Sequence, residues 1–239
     1  MAKRWRQYSY ADQQNYLRKI RIVLIWLLAF FIIHTLVSGL AVSNRVVENN
    51  TMRPGILPGE RFVFLSFTVQ HMFRDRNEGS LPFQRGQIVL VNRNTEKKPI
   101  LRTVLDFAVR FFSLQRYSLF SKEDNLYVKR VIGLPGDTVS MNNYVVRIKP
   151  AGENYEYTEF ELTDLDYTPE LPQSSQLWDE SIPFSGFMDS IVLGKEQCFV
   201  LSDDRIVTND SRTWGPIPAD TIIARALARY WPLTRLGYP

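Results

Sequence analysis

Residues 125–149 read NLYVKRVIGLPGDTVSMNNYVVRIK. Two runs rich in Val, Ile and Tyr, 125–134 and 137–149, meet at a Leu-Pro-Gly-Asp turn. Such side chains suit a pleated, half-buried surface, and Pro and Gly punctuate the chain between them. The same texture recurs outward in ERFVFLSF (60–67), GQIVLVNR (86–93), NYEYTEFELT (154–163) and EQCFVLSD (196–203). Short strands parted by turn residues, with no repeat at a solenoid period, predict a mainly β domain of antiparallel sheets.

Two segments break the pattern. In 100–120, Leu101, Val104, Leu105, Ala108, Phe111 and Phe112 recur at three- and four-residue spacing, which predicts an amphipathic helix. With Arg102, Arg110 and Arg116 beside the stripe, such a helix fits either a bilayer interface or the domain core. Residues 151–193 are acidic, aromatic and Pro-containing, and read as a smaller inserted lobe or long hairpin. Within them NYEYTEFEL alternates as a half-buried strand does.

Upstream of the β-rich part, residues 22–44 carry no charge: IVLIWLLAFFIIHTLVSGLAVSN. About 20 apolar residues in a helix cross a bilayer core of roughly 30 Å, so the stretch is expected to be a transmembrane anchor. Lys3, Arg4, Arg6, Arg18, Lys19 and Arg21 precede it against Asp12 alone, and Arg45 follows. That asymmetry places 1–21 in the cytoplasm and 45–239 outside, as a single-pass protein of the cell membrane. The stretch is longer than the apolar region of a cleaved secretory signal.

Composition narrows the function classes. In 239 residues the net charge is +4, with much of the surplus near the N-terminus, and no basic block long enough for a run of phosphates. Nucleic acid is thereby disfavoured as a partner. The single cysteine, Cys198, forbids an internal disulfide and reads as a small buried hydrophobe. His34 and His71 stand far apart, without metal-ligand spacing.

Three segments carry chemistry. They are Asn49-Asn50-Thr51-Met52-Arg53-Pro54 with Pro58-Gly59-Glu60; Tyr127-Val128-Lys129-Arg130 running on to Gly133-Leu134-Pro135-Gly136-Asp137; and Ser202-Asp203-Asp204-Arg205 followed by Thr208-Asn209-Asp210-Ser211-Arg212-Thr213-Trp214-Gly215. A lysine among Tyr127, Val128 and Val131 loses hydration, which lowers its pKa and offers a neutral amine as base. Alone, it reads better as a strand lysine turned to solvent.

Together the three segments resemble the signature boxes of type I signal peptidases, the Ser-Lys membrane proteases that remove signal peptides. That family's boxes read Ser-Met-x-Pro, Lys-Arg-x-x-Gly-x-Pro-Gly-Asp, and a Ser-x-Asp-Ser-Arg-x-Trp-Gly segment. Arg85-Gly86-Gln87-Ile88-Val89 resembles a further box, with Gln87 in place of its acid. The resemblance covers about residues 47–218. It implies an antiparallel β-domain with a smaller lobe, exported preproteins as partners beside the lipid bilayer, and neither metal nor nucleotide as cofactor.

By that resemblance Lys129 is the general base, and Thr208 is the hydroxyl that orients it. Asp210 and Arg212 form a bracing charged pair, and Asn49 completes the oxyanion hole through its amide N–H. Met52, Ile56, Tyr127 and Val128 line a pocket for a small side chain. Thr51 stands at the nucleophile position, where the family has Ser. Both are alcohols that a neutral lysine can deprotonate, but the extra methyl restricts χ1 and crowds the attacking oxygen. Two readings follow: an active Thr-Lys endopeptidase, or a catalytically weak homologue kept as a binding or regulatory membrane protein.

Overall fold

The computed structural model describes residues 10–40, 42–67, 81–93, 109, 126–163, 167–171 and 186–238. The chain divides into two compact units, Met1–Leu40 and Ala41–Pro239.

The described residues of the first unit form a helix, α1, Tyr10–Leu40. Consecutive residues Ile22, Val23, Leu24, Ile25, Trp26, Leu27 and Leu28 are all exposed, so apolar side chains cover the helix on every side. Two features correct the expected anchor at 22–44. The helix starts far upstream, inside the polar and basic segment containing Gln14, Arg18 and Lys19. At the other end residues 42–44 belong to strand β1, Val42–Val46, because their backbone groups pair with β2, Arg61–Ser66, instead of continuing a helix. Among the described residues no helix is long and apolar enough to cross a membrane. Side chains of 34–40 lie outside the described ones.

The described residues of the second unit form two antiparallel sheets. The larger has the order β1-β2-β11-β3-β4-β9-β10, built from Val42–Val46, Arg61–Ser66, Ile222–Trp231, Ile88–Asn92, Leu126–Gly133, Gln197–Leu201 and Ile217–Pro218. The smaller has the order β7-β6-β5-β8, from Tyr157–Thr158, Val145–Lys149, Thr138–Asn142 and Met188–Val192. The opening stretch 125–149 thus supplies a central strand of one sheet and two strands of the other. Its second run is not one strand. Asn143 and Tyr144 adopt positive φ (50° and 64°) and fold it into a hairpin, with Asn142 opposite Val145.

Strand alternation distributes the core over both faces of the large sheet. Ile88 and Leu90 of β3 join Phe62, Phe64, Met52, Ile56, Val128, Ala224 and Ala226 on one face. Val89 and Val91 join Val131, Cys198, Val200, Ile217 and Ile222 on the other. A third cluster joins the sheets: Ile132, Phe199 and Leu201 of the large one meet Val139, Met141, Val146 and Ile148 of the small one. Cys198 is buried, and burial pushes its thiol up to about 12, as expected for a packing residue.

The lobe expected at 151–193 is also redrawn. Its sheet takes β5 and β6 from before residue 151, because the chain crosses into it straight after the Leu-Pro-Gly-Asp turn. The strand expected at 154–163 shrinks to Tyr157–Thr158. There Glu161 Oε2 accepts from both Thr158 N (2.7 Å) and Thr158 Oγ1 (2.8 Å), closing a local turn against the ladder. The helix expected at 100–120 falls outside the described residues apart from Val109.

The two sheets meet tightly at Gly133. A Cβ there would lie 2.7 Å from Leu193 Cδ1, 2.8 Å from Val139 Cγ2 and 3.0 Å from Phe199 Cβ. Gly133→Ala is therefore expected to destabilise the domain by about 1–3 kcal/mol through overpacking, read as a lowered thermal midpoint.

Candidate active site

Two loops, the Thr51 turn and the segment after β9, meet beside strand β4 of the large sheet. Thr51 sits in a tight turn fixed by Arg53 N to Asn50 O (3.2 Å) and Ile56 N to Met52 O (2.8 Å). The base of this turn is pinned by the buried carboxylate of Glu60. It accepts from Leu57 N (3.2 Å), Arg229 Nη1 (2.9 Å) and Arg235 Nη1 (2.6 Å). Both arginines also donate to the Gly55 carbonyl, at 3.0 and 3.1 Å. Neither arginine is in the segments that the sequence singled out; they come from β11 and the turn after it.

Lys129 lies in the middle of β4, opposite Val89 of β3, and is fully buried. Its Nζ donates to Ser202 Oγ at 2.8 Å and lies 5.7 Å from the centre of the Trp214 ring. Burial is the main cause that brings its pKa down to about 8 from an ordinary 10.5. Asp210 opposes that fall, Arg212 adds to it, and Asp203 opposes it. The expectation of a desolvated strand lysine is met, and the alternative of a solvent-facing lysine is not.

The segment after β9 closes the site. Asp210 caps the short helix α2, Ser211–Trp214, and is buried. Its carboxylate accepts from Ser202 N (3.0 Å), Arg212 N (3.1 Å), Arg212 Nε (3.0 Å) and Arg212 Nη2 (2.8 Å). Arg212 also donates to the carbonyls of Arg205 (2.8 Å) and Val207 (2.6 Å). These contacts hold Asp210 below the usual carboxylate range against the burial that raises it. The pair therefore clamps residues 202–212 into one rigid loop. That loop reaches the Thr51 turn directly, because Asp204 N donates to Thr51 O at 3.1 Å.

Two expected roles look different in the structure. The hydroxyl on Lys129 is that of Ser202, whereas the described bonds of Thr208 run through its carbonyl, to Asp210 N and Thr213 Oγ1. The physical reason is the Asp210 cap, which turns the Thr208 carbonyl toward α2. Asn49 was expected to donate. Instead its Oδ1 accepts from Thr51 Oγ1 at 2.8 Å and from Thr51 N at 3.3 Å. The Thr51 hydroxyl is thus held by Asn49 and the Lys129 amine by Ser202.

The expected pocket residues divide between two faces of β4. Met52, Ile56 and Val128 pack together in one buried cluster beneath the Thr51 turn. Tyr127, the neighbour of Val128, points the other way, its ring 5.1 Å from that of Trp214. Trp214 is a wall of the lysine site that sequence reasoning passed over, and its Nε1 donates to Asn209 Oδ1 at 3.0 Å.

The smaller lobe also touches the site. Arg130 is buried and makes a two-pronged contact with Asp203, at 2.7 and 2.6 Å, and a bond to the Gly86 carbonyl at 2.6 Å. Its guanidinium stacks 3.8 Å from the centre of the Tyr167 ring. Tyr167 OH donates to Glu159 Oε2 (2.7 Å), which also accepts from the buried Arg205 (2.5 Å). Arg85 holds Asp137 of the Leu-Pro-Gly-Asp turn in the same two-pronged way, at 2.7 and 2.8 Å. Gln87 supports that corner by accepting from Gln84 N (3.1 Å).

With this geometry in view, comparison with known proteins is decisive. The family model described as "Signal peptidase, peptidase S26" matches residues 18–231. The chain belongs to the type I signal peptidase family. It is 35% identical to signal peptidase I of Leptolyngbya laminosa over 113 residues, covering 46% of this chain and 44% of that protein. It is 32% identical to signal peptidase IB of Staphylococcus aureus over 120 residues, 49% of this chain and 59% of the relative. With signal peptidase I of Streptococcus pneumoniae the identity is 26% over 214 residues, 82% of this chain and 85% of the relative. The chain thus spans about half the length of the relatives it matches at higher identity.

The Arg130–Asp203 pair yields a stability prediction. Asp203→Ala leaves the Arg130 guanidinium buried without its carboxylate. Chemical denaturation should show a loss of about 3–5 kcal/mol, as for other buried pairs cut on one side.

Proposed function

We propose that this protein is an endopeptidase that removes signal peptides from exported preproteins, with Thr51 as nucleophile and Lys129 as general base. The single observation that carries this reading is the buried Lys129 amine, its pKa brought down to about 8 mainly by burial and its Nζ bonded to Ser202 of a loop that also bonds the Thr51 turn. An amine in that range is neutral often enough to accept a proton, which no solvated lysine is.

Lys129 Nζ takes the proton of Thr51 Oγ1 as that oxygen attacks the scissile carbonyl. The carbonyl oxygen becomes the oxyanion, and the Thr51 N–H with the Asn49 amide N–H is its donor set. Before substrate arrives Asn49 turns its Oδ1 to Thr51 N and Oγ1, so the incoming carbonyl must displace that contact and the amide must rotate to present its N–H. Collapse of the adduct expels the amine, which Lys129 protonates, leaving an acyl ester on Thr51. Lys129 then draws a proton from water, and hydrolysis of the ester returns the hydroxyl.

The preprotein lies extended along strand edges, with small residues before the cut set over Met52, Ile56 and Val128. Its signal helix is in lipid, and the apolar side chains around α1 support placing that helix at the bilayer, with the basic N-terminal residues on the cytoplasmic side.

One observation favours a second reading, a weak or inactive homologue that binds preproteins without cutting them. The Thr51 hydroxyl donates to Asn49, and its β-methyl limits the rotation needed to face Lys129.

Cleavage of a model preprotein by the full chain separates the two. Thr51→Ser is expected to match or exceed the unaltered protein, and Thr51→Ala and Lys129→Met to lose cleavage. Undiminished cleavage by Thr51→Ala sinks the nucleophile assignment, and an inert unaltered protein supports the second reading. The pH profile has a defined sign. A base works when neutral, and the neutral fraction of Lys129 grows as pH rises through about 8. The cleavage rate should climb about tenfold per pH unit below that value and level off above it.

A further inference from the structure

A lysine amine on a flexible four-carbon stem needs a second group to fix its direction. The sequence points to Thr208 for that task, but the group in contact is Ser202, at 2.8 Å. Ser202 is held from two sides. It follows Leu201, which pairs across the sheet with Arg130, the neighbour of Lys129. Its own N–H donates to the Asp210 carboxylate, already locked by Arg212. Hydroxyl and amine are therefore set against each other by β-register and by an ion pair, both rigid. The charged and aromatic groups around the amine come from the segment after β9 as well: Asp203, Asp210, Arg212 and Trp214.

Resting on the Thr51–Lys129 reading, we propose that Ser202 is the positioning residue of the lysine base, directing Nζ toward the Thr51 turn in place of Thr208. A serine hydroxyl against a lysine amine also has the form of a nucleophile and its base. Burial decides between the roles. Ser202 is 0% exposed at the start of the loop, whereas Thr51 retains 8% exposure on a turn. The fully buried Ser202 hydroxyl is therefore assigned the positioning role and the more exposed Thr51 hydroxyl the attack. The Ser202 oxygen accepts most strongly from the charged amine, so it favours the protonated form as well as fixing its direction.

The test uses the full chain and two readouts. The first is the pH dependence of Lys129 acylation by acetic anhydride, followed by mass spectrometry, which requires no catalysis. The second is kcat and KM on a model preprotein. In Ser202→Ala the apparent pKa of Lys129 is expected to fall below that of the unaltered protein. In the same variant kcat should drop about 10- to 100-fold with KM little changed. Ser202→Cys, of nearly equal size and with a weak hydrogen-bonding sulfur, should shift the titration in the same direction. That variant gives the reading if the alanine protein does not fold. The proposal is overturned if Lys129 titrates unchanged in both variants, or if Thr208→Ala moves the titration and Ser202→Ala does not. It is also overturned if an acyl group trapped during turnover maps to Ser202 instead of Thr51. Cleavage that survives Lys129→Met would instead overturn the dyad, and the Lys129 titration would still report on Ser202.

Discussion

The buried carboxylate of Asp210 accepts four hydrogen bonds, three of them from Arg212 and one from the backbone of Ser202. Much else at the site depends on this group. It sets the position of Ser202, and so the hydroxyl that meets Lys129. It caps α2, and so places Trp214 beside the same amine. It fixes the loop whose Asp204 N–H holds the Thr51 carbonyl. Its charge also opposes the lowering of the Lys129 pKa, so one residue serves both geometry and proton affinity.

Burying charge is costly unless each group is paired, and this domain pairs its buried charges repeatedly. Arg130 with Asp203 and Arg229 with Glu60 fasten strands to loops, and Arg205 with Glu159, Arg85 with Asp137 and Arg235 with Glu60 fasten loops and turns to one another. The stacking of Tyr167 on Arg130 and its bond to Glu159 join two of these pairs. The lobe between β6 and β8 thereby touches the loop that carries Ser202. Glu170 extends the same contact through backbone bonds to Asp203 and Arg205. The lobe is a buttress of the site as much as an appendage of the fold.

The apolar parts divide by face. Tyr127 and Lys129 share one face of β4 with Trp214 close by, and Val128 shares the other with Met52 and Ile56. The proposed base and an apolar cluster thus come from adjacent positions of one strand, as side-chain alternation requires. A shift of one residue in register would exchange them.

The strands around 61–66, 88–92, 126–133 and 197–201 were legible from local composition, because β-branched and aromatic runs between turn residues depend only on near neighbours. So were the buried lysine and the Asp210–Arg212 pair, whose residues lie close together in sequence. Strand β1 was hidden in an apolar run that reads as helix, and β11 mixes Ala and Arg in a way that carries no strand signal. Both are strands because β2 offers them ladder partners, a fact of tertiary pairing. The lobe boundary was misplaced because nothing local says that β5 leaves one sheet for another. The sequence by itself determined which residue types are available for the proposed chemistry: an alcohol at 51, an amine at 129 and a charged pair at 210 and 212. Which hydroxyl meets the amine, and which amide oxygen holds the alcohol, was decided only by the tertiary structure. Hydrogen-bond partners 73 residues apart, as Lys129 and Ser202 are, are chosen by strand register and burial, and no local pattern encodes that choice.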